Sequence, residues 1–160
     1  MSDILIKAFF WSILPISELR GGILYALSND VNYITSYIVC VGANLLAIPI
    51  VYLFLGIFHE QFMKIKLYEN LFEKFVARTR KKVEKDIQKY GFWGLMVFVM
   101  IPLPVTGAYT GTFAAWLFGF KKRQAFLAVS LGVLIAGVIV TTVVLSGSSL
   151  ISIFTKQVQH

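Results

Sequence analysis

Charged residues are scarce in this chain and unevenly placed. They make up 14% of its 160 residues, whereas a soluble domain averages about 25%. Three stretches contain no Asp, Glu, Lys or Arg, at residues 31–58, 91–120 and 124–155. Each stretch is longer than the ~20 residues that an α-helix needs to cross a bilayer. The missing charge excludes an ordinary soluble domain and predicts an integral membrane protein with a single domain, residues 1–160.

Residue clusters that carry out chemistry are also lacking. Cys40 is the single cysteine and lies in an apolar stretch, so the chain has neither a disulfide framework nor a thiolate metal site. No metal-ligand motif, no nucleophile–base arrangement and no phosphate-binding glycine loop of the soluble type occurs. We therefore expect no metal, no cofactor and no enzymatic activity.

The basic residues concentrate in two places, and this sets the expected topology. Nine of the fifteen Lys and Arg residues lie within 59–90, and three more occupy 121–123. Lys and Arg beside membrane spans are retained on the cytoplasmic side, so the net charge of +7 does not indicate a nucleic-acid partner. If 91–120 crossed the membrane once, its two basic flanks would lie on opposite sides. We therefore expect a hairpin that enters and leaves on the cytoplasmic side.

Proline is rare, and its positions divide two apolar regions. Pro102 and Pro104 interrupt the stretch 91–120, and Pro15 interrupts the apolar residues 4–28. Proline removes a backbone donor and disfavours helical geometry in the preceding residue. The arms on either side hold about 10–15 residues, or ~15–22 Å at 1.5 Å per residue, which is too short for a ~30 Å hydrocarbon core. Both regions are therefore predicted to be re-entrant hairpins.

The order of these elements repeats along the chain. Shifting the sequence by 89 residues places Pro15 on Pro104, Ser17 on Thr106, and Gly22 on Gly111. Because each repeat contains one full crossing, the second is expected to be inverted relative to the first, as in many secondary transporters. The predicted fold is an all-α membrane protein, an inverted repeat of a re-entrant helical hairpin plus a transmembrane helix. Its predicted segments are a first repeat at 1–58 (hairpin 4–28, span 33–58), a cytoplasmic segment at 59–90, a second repeat at 91–147 (hairpin 92–118, span 124–145) and a C-terminal tail at 148–160.

Residues 59–90 are predicted to form a basic amphipathic helix. Apolar residues recur there at the three-to-four spacing of one helical face: Ile65, Tyr68, Phe72, Val76, Val83, Ile87 and Tyr90. Such a helix can lie at the cytoplasmic surface of the membrane and attract anionic lipid head groups. The alternative is a topology anchor without a role in ligand binding.

Two charged residues stand inside the first predicted hairpin. Glu18 and Arg20 are the only charged side chains between Ala8 and Ser28. Each costs at least ~2.5–3.5 kcal/mol at membrane depth, so such residues are usually paired and functional. The alternative is an ion pair that only holds the hairpin closed.

The two hairpin breaks together suggest an anion site. Helices that begin after Ser17 and Thr106 would each present unpaired amides and a positive dipole end, with these two residues as N-caps. Arg20 adds a bidentate donor for phosphate or carboxylate. Glu18 can neutralise the positive charge of Arg20 or take up a proton. Asn44 either lines the site or serves helix packing. The candidate substrate-binding residues are Ser17, Glu18, Arg20, Gly21, Gly22, Thr106, Gly107, Tyr109 and Thr110.

The two proline-containing motifs resemble a known family. Pro-Ile-Ser-Glu-Leu-Arg-Gly-Gly at 15–22 and Pro-Leu-Pro-Val-Thr-Gly-Ala-Tyr-Thr-Gly at 102–111 resemble the small multidrug export protein family, which looks like a distant branch of the DedA/VTT membrane proteins. The resemblance implies two facing re-entrant hairpins and, as in DedA relatives, movement of polyprenyl-phosphate or phospholipid head groups between leaflets. The chain departs from the DedA pattern because Val105, Thr106 and Gly107 supply no arginine in the second hairpin.

Two classes of function are compatible with these features. The first is a transporter or lipid flippase that moves an anionic substrate and could be coupled to protons, or that exports small molecules as the family label suggests. It would be a multi-pass protein of the cell membrane with both termini outside. The second is a non-transporting assembly or stability factor. The expected partners are membrane lipids with anionic head groups and a second copy of the chain, because polar backbone at hairpin tips must be shielded from lipid.

Overall fold

The structure of the protein is a computed structural model. It describes residues 2–57, 66, 72–74, 76–81, 89–103 and 106–158. Regular secondary structure in these ranges is helical, in agreement with the predicted all-α class. The main helices are α1 (Ser2–Ile13), α2 (Glu18–Ser28), α3 (Tyr33–Leu45), α4 (Ala47–Ile57), α5 (Phe92–Met100), α6 (Ala108–Leu117) and α7 (Lys122–Val158).

Helices α1 and α2 with their connecting turn form a helical hairpin, hairpin 1. The turn contains Pro15, which has no backbone N–H and so cannot continue α1. Helix α2 runs back along α1, and Gly22 lies directly against Ala8 and Ser12. A Cβ atom on Gly22 would stand only 2.7 Å from the carbonyl oxygen of Ala8, so this approach of the two helices requires glycine.

Helices α3 and α4 form one long segment with a break in its middle. Asn32 caps the start of α3, since its Oδ1 accepts a hydrogen bond of 2.9 Å from the backbone N–H of Ile34. The break at Leu46 follows from Pro49, whose ring clashes with the carbonyl four residues earlier and whose nitrogen donates nothing. The whole segment Tyr33–Ile57 has 25 residues and a mean hydropathy of 2.4, which is long and apolar enough to cross a membrane.

Helices α5 and α6 form the second hairpin, hairpin 2. The residue after α5, Ile101, is extended, as expected for the residue before a proline. Helix α6 begins after Gly107, whose φ of 145° and ψ of −161° lie in a region that is essentially restricted to glycine. Gly111 of α6 packs against Val99 of α5. Pro104, the third predicted break residue, lies outside the described residues.

Helix α7 is the longest element and joins the other helices. Its segment Lys122–Gly147 has 26 residues and a mean hydropathy of 2.6, which makes it the second segment in the described ranges able to cross a membrane. The helix continues to Val158, beyond the predicted end of the span at residue 145 and into the predicted tail. Gly132 brings α7 against Met96 and Val99 of α5, and Gly137 brings it against α3.

The buried core lies where the two hairpins meet the long helices. Its largest fully buried apolar side chains come from α2, α4, α5 and α7: Ile23, Ile48, Leu95, Val99, Val129 and Val133. Because α2 and α5 both pack against α7, this core holds both hairpins against the same helix. Their tips are thereby brought together.

The predicted amphipathic helix at 59–90 lies mostly outside the described residues. Among the residues that are described there, 72–74 and 76–81 are helical, and Phe72 contacts Phe113 and Trp116 of α6 with ring centroids 5.5 and 6.4 Å apart. Thr79 is also buried. This part of the segment therefore packs beside the C-terminal half of α6, away from the tip of hairpin 2.

Candidate functional site

The tips of the two hairpins are in direct contact. Arg20 Nη2 of hairpin 1 donates a hydrogen bond of 3.0 Å to the backbone carbonyl of Thr106 in hairpin 2. In the opposite direction, the Tyr109 hydroxyl donates to the carbonyl of Ile13 at the end of α1. We call this contact region the tip junction and define it by residues 17–20 and 106–110. It combines residues from both sequence motifs that were predicted to form the site.

Glu18 occupies the N-terminus of α6. Its side chain is only 5% exposed, and its carboxylate faces the backbone N–H of Tyr109 in the first turn of that helix. The carboxylate also fills the space beside Gly107, where an added Cβ would lie 2.6 Å from Glu18 Cδ. A helix N-terminus favours negative charge because its first amides are unpaired and its dipole is positive there. The anion position predicted at this helix end is thus occupied by a carboxylate of the same chain.

Arg20 stands next to this carboxylate without using all of its donors. Its Nη2 atom lies 3.7 Å from Glu18 Oε2, which is an ion pair longer than a hydrogen bond. A guanidinium carries five N–H donors in a planar fork, and the contact with Thr106 uses one of them. The Arg20 side chain remains 24% exposed. Among the described residues its other donors have no hydrogen-bond partner, and its partial exposure gives access to a second anion.

The backbone of Glu18 is itself unusual. Its φ is +49°, and among the described residues only one other non-glycine residue, Asp30, has a positive φ. Such a conformation costs a side-chain-bearing residue on the order of 1–3 kcal/mol and persists where surrounding contacts hold it. Within hairpin 1 the backbone N–H of Glu18 donates a hydrogen bond of 2.9 Å to the carbonyl of Leu14, and its carboxylate lies against Gly107 of hairpin 2. Contacts with both hairpins therefore hold this backbone conformation.

The predicted N-cap roles of Ser17 and Thr106 are wrong. The Ser17 hydroxyl donates to the carbonyl of Trp11 and makes no cap bond to α2. The Thr106 hydroxyl accepts from the backbone N–H of Leu103 at 3.0 Å and stands 2.7 Å from the carbonyl oxygen of Ile101, so it closes the turn before α6 instead. Short polar side chains compete for nearby backbone groups, and here the turns offered closer partners than the helix ends.

The remaining predicted residues divide between the junction and the helix interfaces. Gly107 is at the junction, whereas Gly21 lies against the Ser17 side chain and Gly22 lies in the α1–α2 interface. Thr110 is buried within α6. Of the prolines, Pro102 lines the small cavity described below, and Pro15 is exposed in the turn of hairpin 1.

The family is decided by a match over most of the chain. Residues 18–139 match the model of the family described as "Putative small multi-drug export protein", which covers about three quarters of the sequence. The chain belongs to this family. The match contains residues 18–20 and 106–110 of the tip junction, the first long apolar helix and most of the second, so the protein is a membrane protein of an export family. No curated protein and no solved structure matched the chain.

Asn44 of α3 borders the tip junction, and the sequence left its role open. Its side chain is fully buried, and neither Oδ1 nor Nδ2 has a hydrogen-bond partner within the described part of the chain. It lines a cavity of about 10 Å³ together with Glu18, Arg20 and Thr106, among others. That volume is about the space needed by one water molecule, and an unpaired buried amide is costly. The only signal in the sequence was an amide inside a charge-free span.

Tyr109→Phe is expected to weaken the contact between the hairpins. The substitution removes the hydroxyl that binds the carbonyl of Ile13 across the junction, so the free energy of unfolding should fall by about 1 kcal/mol. Tyr33→Phe is the control, because Tyr33 is 51% exposed at the start of α3. This substitution should change the free energy of unfolding by no more than about 0.5 kcal/mol. Chemical unfolding in detergent, followed by circular dichroism, measures both. Equal effects of the two variants would contradict the assigned contact.

Proposed function

We propose that this member of the export family is a transporter for a small anionic substrate, and that the tip junction is its binding site. The observation that carries the proposal is the Glu18 carboxylate at the N-terminus of α6, beside Arg20. Glu18 is itself an anion, so its position supports a junction built to accept one. The free donors of Arg20 and its partial exposure support the entry of a second anion.

In the proposed mechanism the substrate anion replaces Glu18. The junction cavity of about 10 Å³ is too small for a substrate, so the observed arrangement corresponds to a closed state. A substrate anion that takes the α6 amides and Arg20 displaces the Glu18 carboxylate from its place beside Gly107. Its contact with Arg20 also competes with the Arg20–Thr106 hydrogen bond, so two of the links between the hairpins weaken together and the strained backbone of Glu18 can relax. The displaced carboxylate takes up a proton if it remains away from water, which would couple transport to protons.

The helix lengths support the proposed membrane arrangement. Helices α1, α2, α5 and α6 have 12, 11, 9 and 10 residues, or roughly 14–18 Å each at 1.5 Å per residue. None spans a ~30 Å hydrocarbon core, which favours two re-entrant hairpins that meet near the midplane in an inverted repeat.

We propose a multi-pass protein of the cell membrane with both termini outside and 59–90 in the cytoplasm. Ile16 at the tip of hairpin 1 is 97% exposed, and a second copy in a homodimer would cover it.

Cysteine labelling tests this arrangement. In a Cys40→Ala background, single cysteines are placed at the exposed positions Asn29, Lys81 and Lys121 and treated with a membrane-impermeant maleimide in sealed vesicles of known orientation. Lys81→Cys and Lys121→Cys should be labelled from the cytoplasmic side, and Asn29→Cys from the opposite side. Labelling of Lys81→Cys and Lys121→Cys from opposite sides would rule out a re-entrant hairpin 2.

Transport in proteoliposomes tests the proposed function. Efflux of an anionic dye, carboxyfluorescein, is compared with efflux of a cationic dye, ethidium, because the natural substrate is unidentified. The anionic dye should leave faster with the wild-type protein, and Arg20→Ala should slow it more than tenfold, since a hydrogen bond to a charged group contributes about 1.5–3 kcal/mol. Arg78→Ala, at an exposed arginine of the 59–90 segment, is the charge-matched control and should keep full efflux. Transport of the cationic dye alone would refute the anion site.

Two further experiments test the alternatives to a small-anion transporter, which are a lipid flippase and a non-transporting assembly factor. The resemblance to DedA/VTT proteins suggests amphiphilic phosphates, and a dithionite assay with fluorescent phosphatidylglycerol would detect their movement between leaflets. The non-transporting alternative is favoured by one observation, because Glu18 and Arg20 do bind the two hairpins together. In that case Glu18→Gln and Arg20→Lys should lower the yield of folded protein. A transporter should instead lose efflux while it stays folded.

A further inference from the structure

A second cavity lies away from the tip junction, between α4 and the start of α7. It is an open groove with a volume of about 490 Å³. We call it the α4–α7 groove, and its lining residues are Ile48, Pro49, Tyr52, Lys122, Arg123, Phe126 and Leu127. A volume of this size is within the range of small-molecule sites.

Helical spacing explains why these residues share one surface. Ile48, Pro49 and Tyr52 recur at the three-to-four spacing that places side chains on one face of α4. Lys122 and Phe126 are four residues apart on α7 and face the same way. The groove is thus formed by two facing helix surfaces, one from each half of the chain.

The charge at this groove is positive at one end only. Lys122 and Arg123 are exposed in the first turn of α7, and neither is paired with a carboxylate within the described part of the chain. No acidic residue lines the groove. The first turn of a 37-residue helix also leaves backbone N–H groups without intrahelical partners and carries the positive end of the dipole. This end of the groove therefore fits a phosphate group.

The other end of the groove is apolar. Phe126 and Leu127 lie one turn further along α7 and are 48% and 55% exposed. The charged residues immediately precede the apolar stretch that begins at residue 124, so they lie where head groups meet the hydrocarbon. The Tyr52 hydroxyl is buried and has no hydrogen-bond partner among the described residues. The groove thus offers a phosphate site at head-group depth and an apolar channel below it.

We propose that the α4–α7 groove binds an anionic phospholipid. Lys122 and Arg123 bind the lipid phosphate, and one acyl chain lies along Phe126 and Leu127. Basic pockets between membrane helices on the cytoplasmic side are suited to anionic head groups. A lipid in this position contacts α4 and α7 together and holds the two halves of the chain against each other. The proposal does not depend on transport at the tip junction.

Native mass spectrometry tests the site with lipids of defined charge. The purified full chain in neutral detergent is titrated with dioleoyl phosphatidylglycerol and, separately, with dioleoyl phosphatidylcholine. The protein should retain phosphatidylglycerol at least tenfold more tightly. Lys122→Gln together with Arg123→Gln should weaken this binding roughly 10–30-fold, because each cation near an anionic surface contributes about a factor of five. Equal retention of the two lipids by the wild-type chain would overturn the proposal.

Two further variants separate the groove from general attraction to basic residues. Lys7→Gln removes an exposed cation of α1, which does not line the groove, and should leave the affinity for phosphatidylglycerol unchanged. Leu127→Trp fills the groove but keeps every charge, and it should reduce the affinity as strongly as the Lys122 and Arg123 changes do. An equal loss in the Lys7 variant would overturn the proposal, and so would unchanged binding by folded Leu127→Trp.

Discussion

Gly107→Ala is expected to separate the two hairpins and to lower the free energy of unfolding by about 3–5 kcal/mol. The added methyl group would overlap the Glu18 carboxylate and lie 2.6 Å from its Cδ atom. The carboxylate would have to leave the N-terminus of α6, and this leaves a buried charge without its partners. The backbone adds a further cost, because φ at Gly107 is +145° and ψ is −161°, a conformation that alanine avoids.

The control for this variant is Gly119→Ala. Gly119 also has a positive φ, +71°, but no atom lies within 4 Å of its added Cβ, so only the backbone cost of about 1–2 kcal/mol applies. Chemical unfolding in detergent measures both variants. The double variant Gly107→Ala with Glu18→Ala should lose less than the sum of its single changes, because the overlapping group is gone. Additive losses would show that Gly107 and Glu18 do not meet.

Gly22→Ala is expected to disrupt hairpin 1 itself. The new Cβ would overlap the Ser12 hydroxyl, and it would stand 2.7 Å from the carbonyl oxygen of Ala8 and 3.0 Å from Cys40 Sγ. The backbone carbonyl cannot rotate away as a flexible side chain can, so α1 and α2 must move apart. We expect a loss of about 2–3 kcal/mol in the free energy of unfolding.

Gly42→Ala provides the matched control for this change. Gly42 lies within α3, and no atom stands within 4 Å of its added Cβ. Alanine is the better helix former, so this variant should be neutral or stabilising by up to ~1 kcal/mol. A comparison of the two unfolding curves thus separates close packing at Gly22 from the general effect of replacing a helical glycine. Equal stability of Gly22→Ala and Gly42→Ala would contradict the close approach of α1 and α2.

The position of Glu18 links ligand binding to movement in the proposed mechanism. Its backbone belongs to hairpin 1, whereas its carboxylate lies against Gly107 at the start of α6 in hairpin 2. A ligand shifts a conformational equilibrium only as far as it binds the two states differently. An anion that takes the place of Glu18 can bind only after this contact opens, so it favours the open state. One residue would thus couple occupancy of the site to separation of the hairpins.

The elements of the fold followed from local patterns in the sequence. Charge-free stretches predicted the two long apolar helices, and Pro15 and Pro102 marked the places where shorter helices stop. These features are visible in sequence because hydrophobicity and the missing proline N–H act on the chain within a few residues. The sequence did not predict the break at Leu46, although Pro49 causes it by the same local mechanism. It also did not predict that α7 continues to Val158.

The contacts within the candidate site could be predicted from the sequence less well than the helices. The choice of Glu18, Arg20, Thr106 and Gly107 as residues of one region agrees with their contacts in the structure, but the N-cap roles of Ser17 and Thr106 do not. Which backbone group a hydroxyl reaches depends on the exact path of a turn, and residue type does not determine that path. Asn44 shows the same limit, since a buried amide in a span serves packing or a site according to its neighbours.

By itself, the sequence of this protein determined that it is helical and apolar, that its charges divide it into segments, and that two proline-broken motifs carry its unusual residues. Periodicity, proline chemistry and the cost of charge in lipid are properties of short segments, so they can be read without coordinates. Only the tertiary structure decided that Glu18 binds the N-terminus of α6 and that Arg20 reaches the carbonyl of Thr106, 86 residues away in the sequence. Such contacts depend on how α2, α5 and α7 pack together, because that packing fixes which helix end meets which side chain.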